Sequence, residues 1–312
     1  MVNAHEQEYE IFEITAEASQ QRLDKWLATV FAHLSRSHLT EHIKAGHVIV
    51  NEKSALPSLK LKAGDVVKVA SDALEEGTHD TSLVPQEGEL EIVVQHKHYL
   101  ILNKPAGLVV HPGAGVPDGT LANFLIARFP DNAQLPNWGL IHRLDKDTSG
   151  LLLVALTAEG YHVLTQLMLE RAIKRNYLAL VMGNIRYSQT INTLMARDPH
   201  NRLKRAVTHS PLAKQAITHI KPLERFEKMT LIECTLETGR THQIRVHLEH
   251  IRHPLVGEPL YCGHMPTKKL FPRQALHATR LGFFSPWEER EVVAESPLPE
   301  DLQQFIENLP SL

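Results

Sequence analysis

The chain has 312 residues, 43% apolar and 22% charged, which is long enough for two domains and ordinary for a soluble globular protein. This excludes a disordered or fibrous polymer, and no apolar run approaches the roughly 18 residues that span a bilayer. Met1–Glu10 lacks a basic-then-apolar leader pattern, and two cysteines, Cys234 and Cys262, cannot build a disulfide framework. The expected compartment is therefore a reducing cytoplasm, without membrane association.

The net charge of −3 hides a segregation. Residues 1–21 carry five Glu, and residues 71–96 carry seven acids (Asp72, Glu75, Glu76, Asp80, Glu87, Glu89, Glu91). Neither stretch holds a Lys or Arg. Setting those twelve acids aside leaves the remainder at +9, so a cationic face is available to a polyanion. Solvated acidic tails would explain the same pattern equally well.

In chain order, Leu23, Trp26, Leu27, Val30, Phe31 and Leu34 recur at helical spacing and predict an amphipathic helix. A second helix is expected from Ser37, as N-cap, to Ala45, ended by Gly46. Val48-Ile49-Val50 and Val66–Val69 read as short strands, the first entering a turn at Asn51. Residues 36–69 hold Arg36, Lys44, Lys53, Lys60, Lys62 and Lys68 against three acids, so a small basic module opens the chain. Residues 71–90, acidic and with Gly77, Pro85 and Gly88, read as a linker.

Beyond it, Leu151–Leu156 is an unbroken apolar run, as in a strand buried on both faces. Thr157 can cap a helix with Leu164, Leu167 and Met168 facing inward, and Tyr177–Met182 is another apolar strand. Ile232, Cys234 and Leu236 alternate with polar neighbours as in a half-buried strand. A helix opening at Thr241 would turn Ile244, Leu248 and Ile251 to the core and His242, Arg245 and Glu249 away from it.

Reactive groups concentrate in two places. Gly139-Leu-Ile-His142-Arg143-Leu-Asp145-Lys146-Asp147-Thr148-Ser149-Gly150 is a polar loop directly before a buried strand, where a rigid scaffold can hold functional side chains. The same residues would also build an ordinary turn, and its two aspartates invite comparison with a glycosidase carboxylate pair. Glu237-Thr-Gly239-Arg240-Thr-His242-Gln-Ile244-Arg245-Val-His247 marks a strand-to-helix junction. Its free backbone N–H groups, with Arg240 and Arg245, would attract an anion, or form a plain solvated helix start. His242, His247, His250 and His253 lack the spacing of a metal site, so no metal is expected. Gly113-Ala-Gly115-Val-Pro-Asp-Gly119 only faintly echoes a phosphate loop.

These segments resemble a known family. His142-Arg143-Leu144-Asp145 with Asp147-Thr148-Ser149-Gly150 is similar to the signature of the pseudouridine synthases that modify ribosomal and transfer RNA. Asn103-Lys104-Pro105-Ala-Gly107-Leu-Val-Val-His111-Pro112-Gly113 resembles the family's preceding motif, and Gly239–His247 a third. Pro254-Leu-Val-Gly257-Glu-Pro-Leu-Tyr261 and Gln274-Ala-Leu-His277-Ala278 resemble two more, so the likeness runs in order through residues 90–305. Residues 20–70 resemble the small RNA-binding module of a ribosomal small-subunit protein and of tyrosyl-tRNA synthetases. Gln95-His-Lys-His98 and Phe284-Ser-Pro286 depart from the family pattern, away from the expected catalytic groups.

The resemblance implies an α+β fold. A catalytic domain over 91–312 has a mixed, largely antiparallel central sheet with flanking helices. A small α/β RNA-binding module over 21–70 precedes it, with an acidic segment over 1–20 and an acidic linker over 71–90. It implies isomerisation of uridine to pseudouridine without a cofactor, most readily in large-subunit (23S) ribosomal RNA, free or in precursor particles, by a monomer. Asp145 is implied as the catalytic carboxylate, Arg245 as its ion-pair partner and Tyr177 as the active-site tyrosine stacking on the base. Arg143 is implied to fill the space left by the extruded base and Ile244 to pack against that base, with His142 and Arg240 beside them as substrate-binding candidates. Arg36, Lys44, Lys60 and Lys62 are the RNA-binding candidates of the small module. A related synthase acting on transfer RNA, a non-catalytic RNA-binding or ribosome-assembly factor, and a zinc hydrolase using the histidines are the competing readings.

Overall fold

A computed structural model describes residues 9–31, 36–70, 83–113, 116–199, 201, 203–210, 213–263, 265 and 267–310, with the side chains of Arg36–His38 and Glu41 left out. No helix among them is long and apolar enough to cross a membrane. The chain divides into two units, Met1–Ser82 and Leu83–Leu312.

In the first unit the elements run β1 (Tyr9–Glu13), α1 (Leu23–Val30), α2 (Arg36–Lys44), β2 (Val48–Val50), β3 (Lys53–Ser54) and β4 (Val66–Ala70). The strands form an antiparallel sheet in the order β1-β4-β2-β3. The helices cover one face of it, burying Leu23, Leu27, Leu39 and Ile43 against Val48, Val67 and Val69. Each such side chain contributes about 1.5–3 kcal/mol when removed from water. The turn after β2 places both Asn51 and Glu52 at positive φ, the geometry a two-residue hairpin needs.

Three details depart from the sequence reading. Tyr9–Glu13, inside the acidic segment, is a strand paired to β4. The first helix stops at Val30, with Phe31 as its C-cap, and Leu34 lies outside the described residues. The second helix starts at Arg36, so Ser37 sits inside its first turn and does not cap it.

The second unit contains β5 (Glu91–Gln95), β6 (Tyr99–Lys104), α3 (Leu121–Arg128), β7 (Ser149–Ala155), α4 (Ala158–Leu169), β8 (Lys174–Met182), β9 (Gln189–Arg197) and β10 (Arg205–Val207). These are followed by β11 (Lys214–Arg225), β12 (Met229–Leu236), α5 (Gln243–His250), β13 (Leu276–Ser285), β14 (Arg290–Glu295) and α6 (Glu300–Glu307). Among the described residues they build a ten-stranded sheet in the order β10-β9-β11-β12-β8-β13-β7-β6-β5, with β14 paired to β13. Every pairing is antiparallel except β13 with β7. The fold is the expected α+β, mixed and largely antiparallel.

β7 is buried along its whole length. Leu152 and Val154 face a core shared with α3 and α5, while Leu151, Leu153 and Ala155 face one shared with α4. Thr157 caps α4 by accepting from Gly160 N–H, as its position predicted. In the segment read as linker, residues 71–82 lie outside the described ones. Residues 83–90 are docked, because Asn123 Nδ2 donates to Val84 O and Leu83 joins the core.

Candidate active site

The loop between Gly139 and β7 is held from three sides. Gly150, at φ +110, lets β7 pass β13 so closely that a Cβ there would lie 2.2 Å from Ala278 O. Only glycine tolerates both constraints. Next to it, Ser149 Oγ hydrogen-bonds His277 Nδ1 at 3.0 Å, Gln274 Nε2 donates to Thr148 Oγ1 at 2.9 Å, and Arg273 Nη1 donates to Asp147 O at 3.2 Å. The Gln274–Ala278 segment thus clamps the Asp147–Gly150 segment. From the other side Lys104, fully buried, donates to Pro105 O (2.7 Å), Leu108 O (2.9 Å) and Lys146 O (3.0 Å). Burial pushes Lys104 down to about 7, although Asp147 and Asp145 pull it up and the three carbonyls engage every N–H of its ammonium form.

His142 Nε2 accepts from Leu153 N–H at 3.2 Å, so its proton sits on Nδ1. Burial, followed by the charge of Arg175, lowers it to about 3 and keeps the ring neutral. The ring of His142 is thus committed to the scaffold strand.

Leu144 is buried and turns Asp145 outward, where its side chain is 17% exposed. Asp145 Oδ2 accepts from Arg245 Nη1 at 2.9 Å, and Oδ1 lies 3.8 Å from His242 Nε2. Arg245 gives its other edge to Glu258, Nε to Oε2 at 2.9 Å and Nη2 to Oε1 at 2.7 Å. Glu258 is fully buried, and its Oε1 also accepts the backbone N–H of Leu260 and Tyr261. Burial opposes the Arg245 charge, but Glu258 and then Asp145 outweigh it and keep the guanidinium protonated. The ring of Tyr261 lies under this guanidinium, 5.2 Å from its carbon, and Tyr261 Oη hydrogen-bonds His242 Nδ1 at 2.7 Å. His242 stands at φ 58, the left-handed backbone that side chains seldom adopt, as the N-cap of α5.

Arg245 does not lie on an outward face of its helix as its spacing suggested. It is 4% exposed, because α5 is covered on both sides, with Ile244 and Leu248 in the core and Arg245 against the aspartate loop. The helix also starts at Gln243, two residues after Thr241. Gln243 replaces a cap hydroxyl. Its Oε1 accepts from Thr238 Oγ1 and Arg240 N, and its Nε2 donates to Ile217 O and Thr218 Oγ1.

Asp145 opens onto a cavity of about 400 Å³, within the roughly 300–1,000 Å³ of ordinary ligand sites. Asp145, Tyr177, Arg245, Arg143, His142, Ile244 and Arg240 all line it, so one concavity gathers every site residue expected in this unit. Tyr177 and Ile244 form an apolar wall, 5% and 4% exposed, and burial raises Tyr177, keeping its phenol protonated. Arg143 is exposed and also borders a second cavity of about 270 Å³ on the other side of Asp145. Arg240 sits at the rim, its Nε donating to Gln215 O at 3.0 Å.

Lys44, Lys60 and Lys62 are exposed in the first unit, and the side chain of Arg36 lies outside the described residues. The four histidines do not converge. His247 is wedged between Thr218 and Thr193 and lowered by burial to about 4, His253 bonds Met182 O, and His250 is exposed. Among the described residues no group of three His, Cys, Asp or Glu could hold a metal ion. The glycine-rich 113–119 stretch bends back at a Gly113–Val116 bridge, with residues 114 and 115 outside the described ones. Sequence reasoning did not single out Glu258, His242, Tyr261, Lys104 or Arg175 for the site, although the first four stand inside the quoted motifs. Their signal was position within a motif, since nothing in residue type alone shows which buried polar groups face each other.

Comparisons with known proteins agree with this architecture. A family model described as RNA pseudouridylate synthase matches residues 98–250, and an S4 domain model matches residues 21–67. The chain is 43% identical to the ribosomal large subunit pseudouridine synthase D of Xanthomonas campestris pv. campestris over 94% of its own length and 90% of that protein. It is 40% identical to the protein of the same name from Escherichia coli K12, over 95% and 94%. The solved structure of human RNA Pseudouridylate Synthase Domain Containing 1 is similar with a TM-score of 0.54 and 27% identity, covering 73% of this chain and 99% of that one. Human RNA Pseudouridylate Synthase Domain Containing 4, at 22% identity, a TM-score of 0.56, and 70% and 92% coverage, shares the fold. With matched motifs spread along the chain and relatives above 40% identity over nearly all of it, the chain belongs to the RNA pseudouridylate synthase family.

Proposed function

We propose that this protein isomerises uridine to pseudouridine in large-subunit ribosomal RNA, with Asp145 as the catalytic carboxylate. The observation that carries the reading is the Asp145–Arg245 ion pair at 2.9 Å, beside the buried Tyr177 in one cavity. The substrate assignment draws on the names of the relatives, which are large-subunit rRNA synthases. The small unit, matched by the S4 model and carrying exposed Lys44, Lys60 and Lys62, serves as the RNA-binding module over residues 21–70. We place the protein in the cytoplasm as a monomer, acting on free rRNA or on precursor particles.

The reaction breaks the bond from uracil N1 to the ribose anomeric carbon, turns the base, and joins its C5 to the same carbon. N1 gains a proton and C5 loses one, so atoms and electrons balance without a cofactor. Attack on the sugar, addition to the base, and assisted elimination to a glycal all use an ionised carboxylate at this place. Arg245, fixed by Glu258, stabilises that form and leaves Oδ1 of Asp145 facing the cavity. Tyr177 stacks on the extruded base and Ile244 packs against it. Arg143, exposed at the cavity mouth, takes the space the base leaves. Arg240 holds the substrate at the rim, while His142 acts by positioning the loop.

The test is tritium release from large-subunit rRNA carrying tritium on uridine C5. Wild-type protein is expected to release it, and Asp145→Asn to release none while still binding the RNA. Release at the wild-type rate from Asp145→Asn overturns the catalytic assignment. Release from transfer RNA in place of rRNA overturns the substrate.

A further inference from the structure

Arg175 is the least explained charge in the site. It lies on β8 two residues before Tyr177, on the same strand face, and lines the larger cavity. It is 7% exposed, its Nε is buried without a hydrogen-bond partner, and no ion pair or hydrogen bond engages its side chain among the described residues. Of the other four arginines around the cavity, Arg143 is exposed to water and the remaining three are occupied. Arg245 is held by Asp145 and Glu258, Arg171 Nη1 by Glu237 at 2.7 Å, and Arg240 Nε by Gln215 O. Glu237, which also lines the cavity, is further engaged by His219 at 2.8 Å. A buried guanidinium without a counter-ion is unfavourable, and a bound anion would offset that cost.

A second feature meets it there. A Cβ on Gly239 would lie 2.7 Å from Arg175 Nη1, so the guanidinium packs directly under this turn and a larger residue there would displace it. The backbone N–H groups of Gly239, Thr241 and His242, at the start of α5, donate to no partner among the described residues, whereas those of Arg240 and Gln243 donate to Gln243 Oε1 and Arg240 O. Free N–H groups at a helix start and a planar guanidinium fork suit the oxygens of a phosphate.

We propose that Arg175 and the Gly239–His242 turn form a subsite for a backbone phosphate of the RNA next to the target uridine. The subsite rests on the reading of RNA as substrate. It would fix the strand beside the flipped base, between Tyr177 and the α5 start. Arg175 is a binding residue in this assignment and takes no part in bond-making.

The experiment measures the affinity of the full chain for single-stranded uridine-containing RNA between about 50 and 200 mM salt. Arg175→Met is expected to weaken binding roughly tenfold or more, the loss of one charge-assisted contact. It should also flatten the slope of log K against log salt by about 0.7, the share of one single-strand phosphate. Arg175→Lys should keep the slope, and Gly239→Ala should weaken binding with the charge retained. A wild-type slope in Arg175→Met, or weaker binding with an unchanged slope, overturns the subsite. Should Arg175→Met fail to melt cooperatively, RNAs bearing a neutral methylphosphonate at one position at a time decide the matter with wild type and Gly239→Ala. One position is expected to cost affinity in wild type and to cost less in Gly239→Ala, and no such position overturns the subsite. Tritium release is not read here, so its failure would remove the synthase reading while leaving this binding result to stand or fall alone.

Discussion

Glu258 grips Arg245 along one whole edge, with bonds of 2.9 and 2.7 Å, and leaves Nη1 to reach Asp145 at 2.9 Å. The carboxylate is thus aimed by a fully buried acid that never faces the cavity. Glu258→Gln keeps one acceptor and removes the charge, so Arg245 shares its charge with Asp145 alone. The single-turnover rate should fall about tenfold to a hundredfold with RNA affinity nearly unchanged. Glu258→Ala leaves the buried guanidinium half-paired and should cost about 3–5 kcal/mol in chemical denaturation. Equal rates for Glu258→Gln and wild type would show that Arg245 needs no second anchor.

Arg143→Ala should slow single turnover at saturating RNA about tenfold or more, while equilibrium affinity falls less. Its exposed side chain stands at the cavity mouth, where base extrusion costs a few kcal/mol of unstacking. A single-turnover rate equal to wild type would remove the base-extrusion role.

His142 and His247 are neutral in the folded protein, lowered by burial to about 3 and about 4. The unfolded chain takes up these protons as pH drops below about 6.5, while the folded chain does not. Their stabilisation is therefore complete above pH 6.5 and is lost as pH falls toward 4 and 3. Urea denaturation at pH 7 and 4.5 should show His142→Gln losing about 2 kcal/mol less than wild type over that interval. Parallel losses in the two proteins would place the His142 ring in water.

Gly150→Ala should disrupt the parallel β7–β13 pairing, since its Cβ would lie 2.2 Å from Ala278 O at a backbone angle that disfavours side chains. A loss of about 3 kcal/mol or more, with turnover falling in parallel, is expected from denaturation and tritium release. Wild-type stability in this variant would mean that the strands can separate without cost.

Much of this was legible in order along the chain. Period-two alternation at Ile232, Cys234 and Leu236 gave β12, the apolar run at Leu151 gave a strand buried on both faces, and Thr157 capped its helix as read. Those are local signals, set by which side of an element meets water. The motifs likewise carried Asp145 and Arg245 into one list of residues, and the family resemblance added Tyr177 outside them.

What the sequence by itself determined was the identity of the reactive groups and the type of each element. Which groups touch was decided by the tertiary structure alone. Asp145 and Arg245 are 100 residues apart, Thr148 and Gln274 are 126, and only the pairing of β7, β13 and β8 in one sheet, with α5 packed beside the aspartate loop, brings such pairs together. Arg245 was read as outward-facing because helical periodicity sees a single core. In the fold α5 is covered on two sides, by apolar packing on one and by an ion pair with Asp145 and Glu258 on the other. Burial of a charge becomes favourable only when its partners arrive from distant segments, and no local pattern records that arrival.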